Sequence, residues 1–114
     1  MKLCITDIET SSLNPITGEI LEIGFIIADS ETFRIYGKFN FKCIPEHIET
    51  ASKKALEVNG YDPKNWKDAI SLKQALEFFA KASEGCIFMG QIFVKKLELP
   101  MVKLTLKYMK YIII

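Results

Sequence analysis

Apolar and polar residues follow one another in the first half of the chain in patterns that predict three β-strands. Residues 3–6 are a short apolar run that ends at Asp7, which predicts a first strand closing there. Residues 19–29 are almost continuously apolar, as suits a central strand. Beyond residue 29, apolar and polar residues alternate with period two, which predicts a half-buried antiparallel strand. Its apolar face would comprise Phe33, Ile35, Phe39, Phe41 and Cys43.

The second half changes to helical patterns before a fourth strand. Residues 50–58 predict a short helix, which Asn59-Gly60 would end in the left-handed conformation. Ser71 and Gln74 have the spacing of a capping box. The apolar stripe that follows predicts an amphipathic helix, and residues 86–89 predict a short buried strand. This succession of elements predicts an α/β fold with a mixed sheet.

Composition narrows the class of protein. The chain has 114 residues, enough for one domain, and 49% hydrophobic with 25% charged residues is typical of a soluble globular protein. The net charge of +1 gives no overall basic signal for nucleic acid. Three widely spaced cysteines, Cys4, Cys43 and Cys86, favour reduced structural thiols over a zinc site. Without a secretory signal or a membrane-spanning window, we expect a cytoplasmic protein with no membrane partner.

Asp7 and Glu9 are the candidate metal ligands. In a strand they share one face, while Ile8 takes the other. Repulsion between the two carboxylates disfavours ionising both without a cation, and all-oxygen ligands suit Mg²⁺ or Mn²⁺. An acidic strand end that meets solvent gives the same spacing. The spacing alone therefore leaves both interpretations open.

Three other polar or aromatic residues carry weaker signals. Glu22 lies in an apolar run, where an edge or strand-face position is favoured over a ligand because a buried acid needs a partner. His47 follows the third strand in a loop and has no Cys or His neighbour, so no role is assigned to it. Trp66 could stack on a nucleobase, but anchoring its loop to the core is the favoured interpretation.

Two sequence motifs resemble those of a known family. The stretch ITDIETSSL at residues 5–13, followed by ILEIG at residues 20–24, resembles the first motif of the DEDD (DnaQ-like, RNase T-like) 3′–5′ exonucleases. The stretch ALEVNGY at residues 55–61 is similar to the helix-to-loop segment after their third strand. The resemblance covers about residues 3–90. It implies a ribonuclease H-like sheet, with strands one to three antiparallel and the strand after the helices parallel to strand one.

The resemblance also implies roles for three residues. Asp7 and Glu9 would be catalytic ligands of divalent cations, Mg²⁺ or Mn²⁺, and Thr10 would contact the substrate near its terminal nucleotide. The substrates would be the 3′ ends of single-stranded DNA or RNA. In the general scheme, one cation activates a water and the other steadies the leaving oxygen at phosphorus.

The chain departs from the family pattern after Gly90. An ungapped alignment places Ile92 where the family has an asparagine and Lys96 where it has the aspartate of its third carboxylate. No later aspartate or histidine follows, so we find no general base and no fourth carboxylate. We therefore expect residues 1–90 to be the N-terminal part of an exonuclease domain that is incomplete at its C-terminus.

Residues 91–114 are predicted to be a divergent, Lys-rich and apolar C-terminal segment. Apolar residues alternate with lysines over residues 102–108, which predicts a strand of unknown partner. The segment looks like the end of a truncated or frame-shifted exonuclease gene. Exposed apolar surface there would favour self-association.

Three functions stay open. The first is a metal-dependent 3′–5′ exonuclease, with weak or no activity in this chain. The second is a non-catalytic remnant that binds nucleic acid or a partner through its Lys-rich end. The third is a haloacid-dehalogenase-type phosphatase, whose motif also places an aspartate after an apolar strand. Glu9 and the antiparallel continuation disfavour this third function.

Overall fold

Five strands form one mixed sheet with the first strand at its centre. The computed structural model describes residues 1–14, 16–90 and 110–113, the last of these as backbone only. The sheet has the order β3-β2-β1-β4-β5, with β1–β2 and β2–β3 antiparallel and β1–β4 and β4–β5 parallel. The strands are β1 (Lys2–Thr10), β2 (Ile20–Asp29), β3 (Ile35–Lys42), β4 (Ile87–Gly90) and β5 (Lys110–Ile113). The predicted α/β fold, with its antiparallel meander and parallel fourth strand, is confirmed.

Two α-helices connect β3 to β4. Helix α1 (Lys53–Asn59) begins after Ser52, whose side chain accepts the Ala55 N–H, and ends at Gly60 in the left-handed conformation, with φ of 66°. The predicted start at Thr50 was wrong, because residues 48–50 form a separate 3-10 turn. Helix α2 (Leu72–Ala82) has the predicted capping box at its start.

The core lies between α2 and one face of the sheet. Phe25 is 2% exposed, and its ring centroid lies 4.9 Å from that of Phe39 and 5.0 Å from that of Phe79 on α2. Cys4 and Ile8 of β1 belong to the same cluster. Side chains alternate along a strand, so Asp7 and Glu9 lie on the opposite face of the sheet.

All three cysteines are free and buried, as predicted. Burial, together with a smaller effect of the neighbouring Cys86, raises the pKa of Cys4 to about 11, although a hydrogen bond to Thr6 lowers it. Burial and then the charge of Glu22 raise the pKa of Cys43 to about 11. These thiols are therefore protonated at neutral pH, as inert structural cysteines are.

The β2–β3 hairpin differs from the predicted alternation. Phe33 was predicted within the strand, but it lies in the turn with φ of 57° and its side chain is 66% exposed. A bulge then shifts the register, so Ile35 pairs with Ala28 while Gly37 pairs with Ile27. A shift of one residue reverses the face on which a side chain lies. Ile35 therefore leaves the face of Phe39 and is 49% exposed.

Phe33→Gly should stabilise the protein. A left-handed conformation costs a non-glycine residue about 1–2 kcal/mol, and glycine removes this cost while making the unfolded chain more flexible. We expect the free energy of unfolding in urea to rise by about 0.5–1 kcal/mol. Tyr36→Gly, in the adjacent strand, is the control and should lower it by a similar amount. A loss of stability in Phe33→Gly would contradict this account of the turn.

Several predictions fall on residues 91–109, which lie outside the described part of the chain. They include the positions of Ile92 and Lys96 and the alternating segment at residues 102–108. The described strand β5 pairs in register with β4, from Ile87 opposite Lys110 to Gly90 opposite Ile113. Among the described residues, no helix is long and apolar enough to cross a membrane.

Candidate metal site

Asp7 and Glu9 lie side by side on the face of the sheet opposite α2. Asp7 pairs with Gly24 of β2, and Glu9 pairs with Glu22. The two acidic residues are about 7 Å apart along the strand, from the rise per residue. Asp7 is exposed and Glu9 is partly buried. The prediction that β1 closes at Asp7 was wrong, because the strand continues to Thr10, so both candidate ligands lie within the central strand.

An open depression adjoins Asp7. Its volume is about 540 Å³, and Gly24, which carries no side chain, leaves room there between Asp7 and Asn40. A Cβ atom added to Gly24 would lie 3.3 Å from Asn40 Oδ1. The lining is mainly apolar, with Asp7 as an acid and Lys38 as a base: Ile5, Thr6, Asp7, Gly24, Phe25, Ile26, Lys38, Phe39 and Gly90. Asp7 is thus open to solvent and to a ligand on this side.

Glu22 lies on the same face as the two candidate ligands. It is directly opposite Glu9 across the β1–β2 ladder, and its Oε1 accepts a hydrogen bond of 2.8 Å from Asn40 Nδ2. Lys42 pairs with Glu22 on the other side. β2 is flanked by β1 and β3, so Glu22 is a strand-face residue of an inner strand with polar neighbours.

A bulge in β2 lies opposite the end of β1. Glu9 pairs with Glu22 but Thr10 pairs with Ile20, which leaves Leu21 without a partner on β1. The Leu21 carbonyl instead accepts the Cys43 N–H at 2.8 Å and the Trp66 Nε1–H at 3.2 Å. Bulges bend a strand and re-aim the side chains beside them. The extra residue is Leu21, so β2 is the strand that bends, directly beside Glu22.

Thr10 does not present its side chain beside Asp7 and Glu9. It is 5% exposed, and its hydroxyl donates to the Ser12 carbonyl at 3.0 Å. Its own carbonyl accepts a hydrogen bond of 2.9 Å from Asn59 Nδ2. Of the three predicted site residues, the structure thus brings two carboxylates together and turns the third side chain into the protein.

Polar residues that the sequence analysis did not single out hold the segment after β1. Ser11 is fully buried, and its hydroxyl accepts the Glu19 N–H at 2.9 Å. The Glu19 carboxylate accepts the N–H groups of Glu46 and His47 at 2.6 and 2.5 Å. Small polar residues near a turn are common in any sequence, so the sequence offers no reason to assign a role to Ser11 or Glu19. Asn59-Gly60 was recognised only as a helix end.

Trp66 and His47 lie apart from the two carboxylates. Trp66 is 7% exposed, with its ring centroid 5.0 Å from that of Tyr61 and 4.4 Å from Lys42 Nζ. It anchors its loop to the core, as the favoured interpretation predicted. His47 is exposed, and its Nδ1 lies 3.2 Å from Glu49 Oε1.

The carboxylates fit one divalent cation only in part. Asp7 and Glu9 supply oxygen ligands on one face, next to open space, as a hard cation requires. Among the described side chains, however, no group of three or more His, Cys, Asp or Glu residues is placed to hold a metal ion together. Water would have to fill the remaining coordination positions. The site is therefore suited to weak binding.

The sheet order and the acidic pair on the central strand define the class of protein. An antiparallel meander followed by a parallel strand beside β1 is the ribonuclease H-like arrangement of α/β proteins. A family model described as an exonuclease, of the RNase T type, matches residues 4–113. The chain belongs to this exonuclease family. A comparison with curated proteins gives no match.

Solved structures share the fold. E. coli Exonuclease I in complex with a dA16 oligonucleotide superposes with a TM-score of 0.75 at 17% identity, over 93% of this chain and 23% of that chain. A complex described as ExoI/SSB-Ct gives a TM-score of 0.75 at 16% identity, over 96% of this chain and 25% of that chain. The chain thus spans about a quarter of the length of these proteins. At this identity the likeness shows the ribonuclease H-like fold alone.

Proposed function

We propose that this chain carries the cation-binding part of a metal-dependent 3′–5′ exonuclease site, with weak or no hydrolysis of its own. The substrates would be 3′ ends of single-stranded DNA or RNA, and the cation Mg²⁺ or Mn²⁺. One observation carries the proposal: Asp7 and Glu9 share an open face of the central strand in a chain that belongs to the exonuclease family. The oligonucleotide complexes of Exonuclease I support the choice of substrate class.

Asp7 and Glu9 would hold the cation through their carboxylate oxygens. A bound divalent cation would supply charge neutralisation and water activation for phosphodiester cleavage. Asp7 is exposed beside the depression, so a substrate phosphate could reach a cation bound to it from this side. Thr10 remains a proposed contact near the terminal nucleotide, although the residue is 5% exposed.

Weak hydrolysis follows from the ligands and bases that the sequence offers. Between Gly90 and Ile114 the only carboxylate side chain is that of Glu98, and His47 is the only histidine of the chain. General-base catalysis typically contributes about 10²- to 10⁴-fold to a rate. A cation held by two carboxylates, without that base, binds a substrate phosphate better than it promotes its cleavage.

The two other functions receive less support from the structure. β1 continues through an antiparallel β2, which is not the strand–helix–strand continuation that a haloacid-dehalogenase-type phosphatase requires. A non-catalytic remnant that binds nucleic acid through lysines would do so without a cation. The lysines concerned lie mostly within residues 91–109, outside the described part of the chain.

Cation-dependent binding of an oligonucleotide tests the proposal. Fluorescence anisotropy of a short 5′-labelled single strand should show affinity rising about tenfold when Mn²⁺ is added to the parent chain. Glu9→Gln removes one charge at constant shape and should lose this rise, whereas Glu84→Gln, at an exposed turn, should keep it. Binding that is equally tight with and without Mn²⁺ would favour the lysine-mediated remnant.

A further inference from the structure

Asn59 joins helix α1 to the strand end that carries the candidate metal ligands. Its Nδ2 donates a hydrogen bond of 2.9 Å to the Thr10 carbonyl, although the two residues are 49 positions apart in the chain. The Thr10 residue directly follows Glu9. A hydrogen bond at this carbonyl therefore restricts the backbone immediately beyond a candidate ligand.

Helix α1 is attached to the same segment at its other end as well. The Ser52 N–H donates to the Ser11 carbonyl at 2.7 Å, one residue beyond Thr10. At the C-terminal end, Gly60 closes the helix in the left-handed conformation directly after Asn59. Because both ends of α1 are attached, the Asn59 side chain loses little conformational entropy when its amide bonds to the strand.

The strand end is also held from outside the sheet. The bulge between Glu9 and Thr10 interrupts the β1–β2 ladder, and the Leu21 carbonyl is bound by Trp66 and Cys43. A bulge disrupts the ladder locally. Asn59 supplies a hydrogen bond from α1 at this point.

We propose that Asn59 is a positioning residue of the metal site: by holding the Thr10 carbonyl it fixes the orientation of Glu9 for cation binding. The inference rests on the proposed function, since it concerns the same site. Residues that orient a metal ligand without touching the metal commonly change its affinity by about 10- to 100-fold when they are removed. If Asn59 only ended α1, its loss would leave cation binding unchanged.

Mn²⁺ titration of the full chain tests this role. Asn59→Ala removes the donor, and Asn59→Asp replaces it with a carboxylate that repels the Thr10 carbonyl. A new negative charge would by itself tighten cation binding, so weaker binding in Asn59→Asp cannot be a charge effect. We expect about tenfold weaker binding in both variants and no change in Asn65→Asp, at an exposed asparagine. Binding by Asn59→Ala within twofold of the parent overturns the proposal.

Amide hydrogen exchange provides a readout that does not depend on a metal. In Asn59→Ala, the amides of Ser11 and Ser52 should exchange at least about tenfold faster, while those of the β2–β3 ladder stay unchanged. Unchanged exchange at Ser11 and Ser52 would show that Asn59 does not hold the segment after β1, whatever the titration shows. If the parent chain does not bind Mn²⁺, the proposed function and the positioning role are both overturned. The exchange result still reports whether Asn59 holds the segment after β1. Should Asn59→Ala fail to fold, Asn59→Ser permits the same comparisons.

Discussion

Asp7→Ala should weaken Mn²⁺ binding by at least about tenfold, to a Kd of about 10⁻³ to 10⁻² M or weaker. Two carboxylates with water as the other ligands form a weak site, for which we expect a Kd of about 10⁻⁴ to 10⁻³ M in the parent chain. Removing one of the two charges removes about half of the Coulomb attraction for the cation. Isothermal titration calorimetry, or the electron paramagnetic resonance signal of free Mn²⁺, measures the change.

The matched control for Asp7→Ala is Asp68→Ala. Asp68 is exposed in the loop before α2 and does not line the depression beside Asp7. Asp7 is exposed too, so neither variant should disturb the core, which circular dichroism can verify. Equal Mn²⁺ affinities in the Asp7→Ala variant and the parent would remove Asp7 from the site. Equal losses in both variants would indicate non-specific attraction of cations to the surface.

Phe25→Ala should lower the free energy of unfolding by about 3–5 kcal/mol. The ring is 2% exposed and lies between Phe39 of β3 and Phe79 of α2, with centroid distances of 4.9 and 5.0 Å. Its loss would leave a cavity where the sheet meets the helix. Small domains are stable by about 5–15 kcal/mol in total, so this variant would be marginally folded. Urea unfolding followed by Trp66 fluorescence measures the change.

Phe78→Ala separates the effect of the cavity from the loss of any aromatic ring. Phe78 is on the same helix and its ring centroid lies 5.2 Å from that of Phe39, but the residue is 43% exposed. Phe78 buries less apolar surface than Phe25 on folding, so we expect Phe78→Ala to lower the free energy of unfolding by about 1–2 kcal/mol. Similar losses in Phe25→Ala and Phe78→Ala would mean that the core does not centre on Phe25.

The sheet and the acidic pair could be predicted from the sequence because both depend on periodicity. Period two in β1 places Asp7 and Glu9 on one face, and the apolar run of β2 identifies a strand flanked on both sides. The capping box at Ser71 and the left-handed Gly60 were also predictable, because each depends on a few adjacent residues.

Bulges and distant side-chain contacts could not be predicted in this way. The bulge at Leu21 places one residue of β2 without a partner on β1, and the bulge beside Ile35 reverses its face. Neither bulge can be recognised from the alternation of apolar and polar residues in the sequence. The contact of Asn59 with Thr10 spans 49 positions, so it arises only once α1 packs against β1. Thr10 was assigned to the substrate by resemblance, but alternation along β1 places its side chain on the buried face with Ile8.

Hydrolysis of a 3′-labelled single-stranded oligonucleotide in Mn²⁺ tests most directly what Asp7 and Glu9 accomplish in this chain. The assay compares the parent with Asp7→Ala and Glu9→Ala, on DNA and on RNA. We expect little or no digestion by the parent, because lack of a general base alone costs about 10²- to 10⁴-fold in rate. Robust digestion by the parent that both variants lose would contradict this, and would show that further residues of the chain complete the catalytic site.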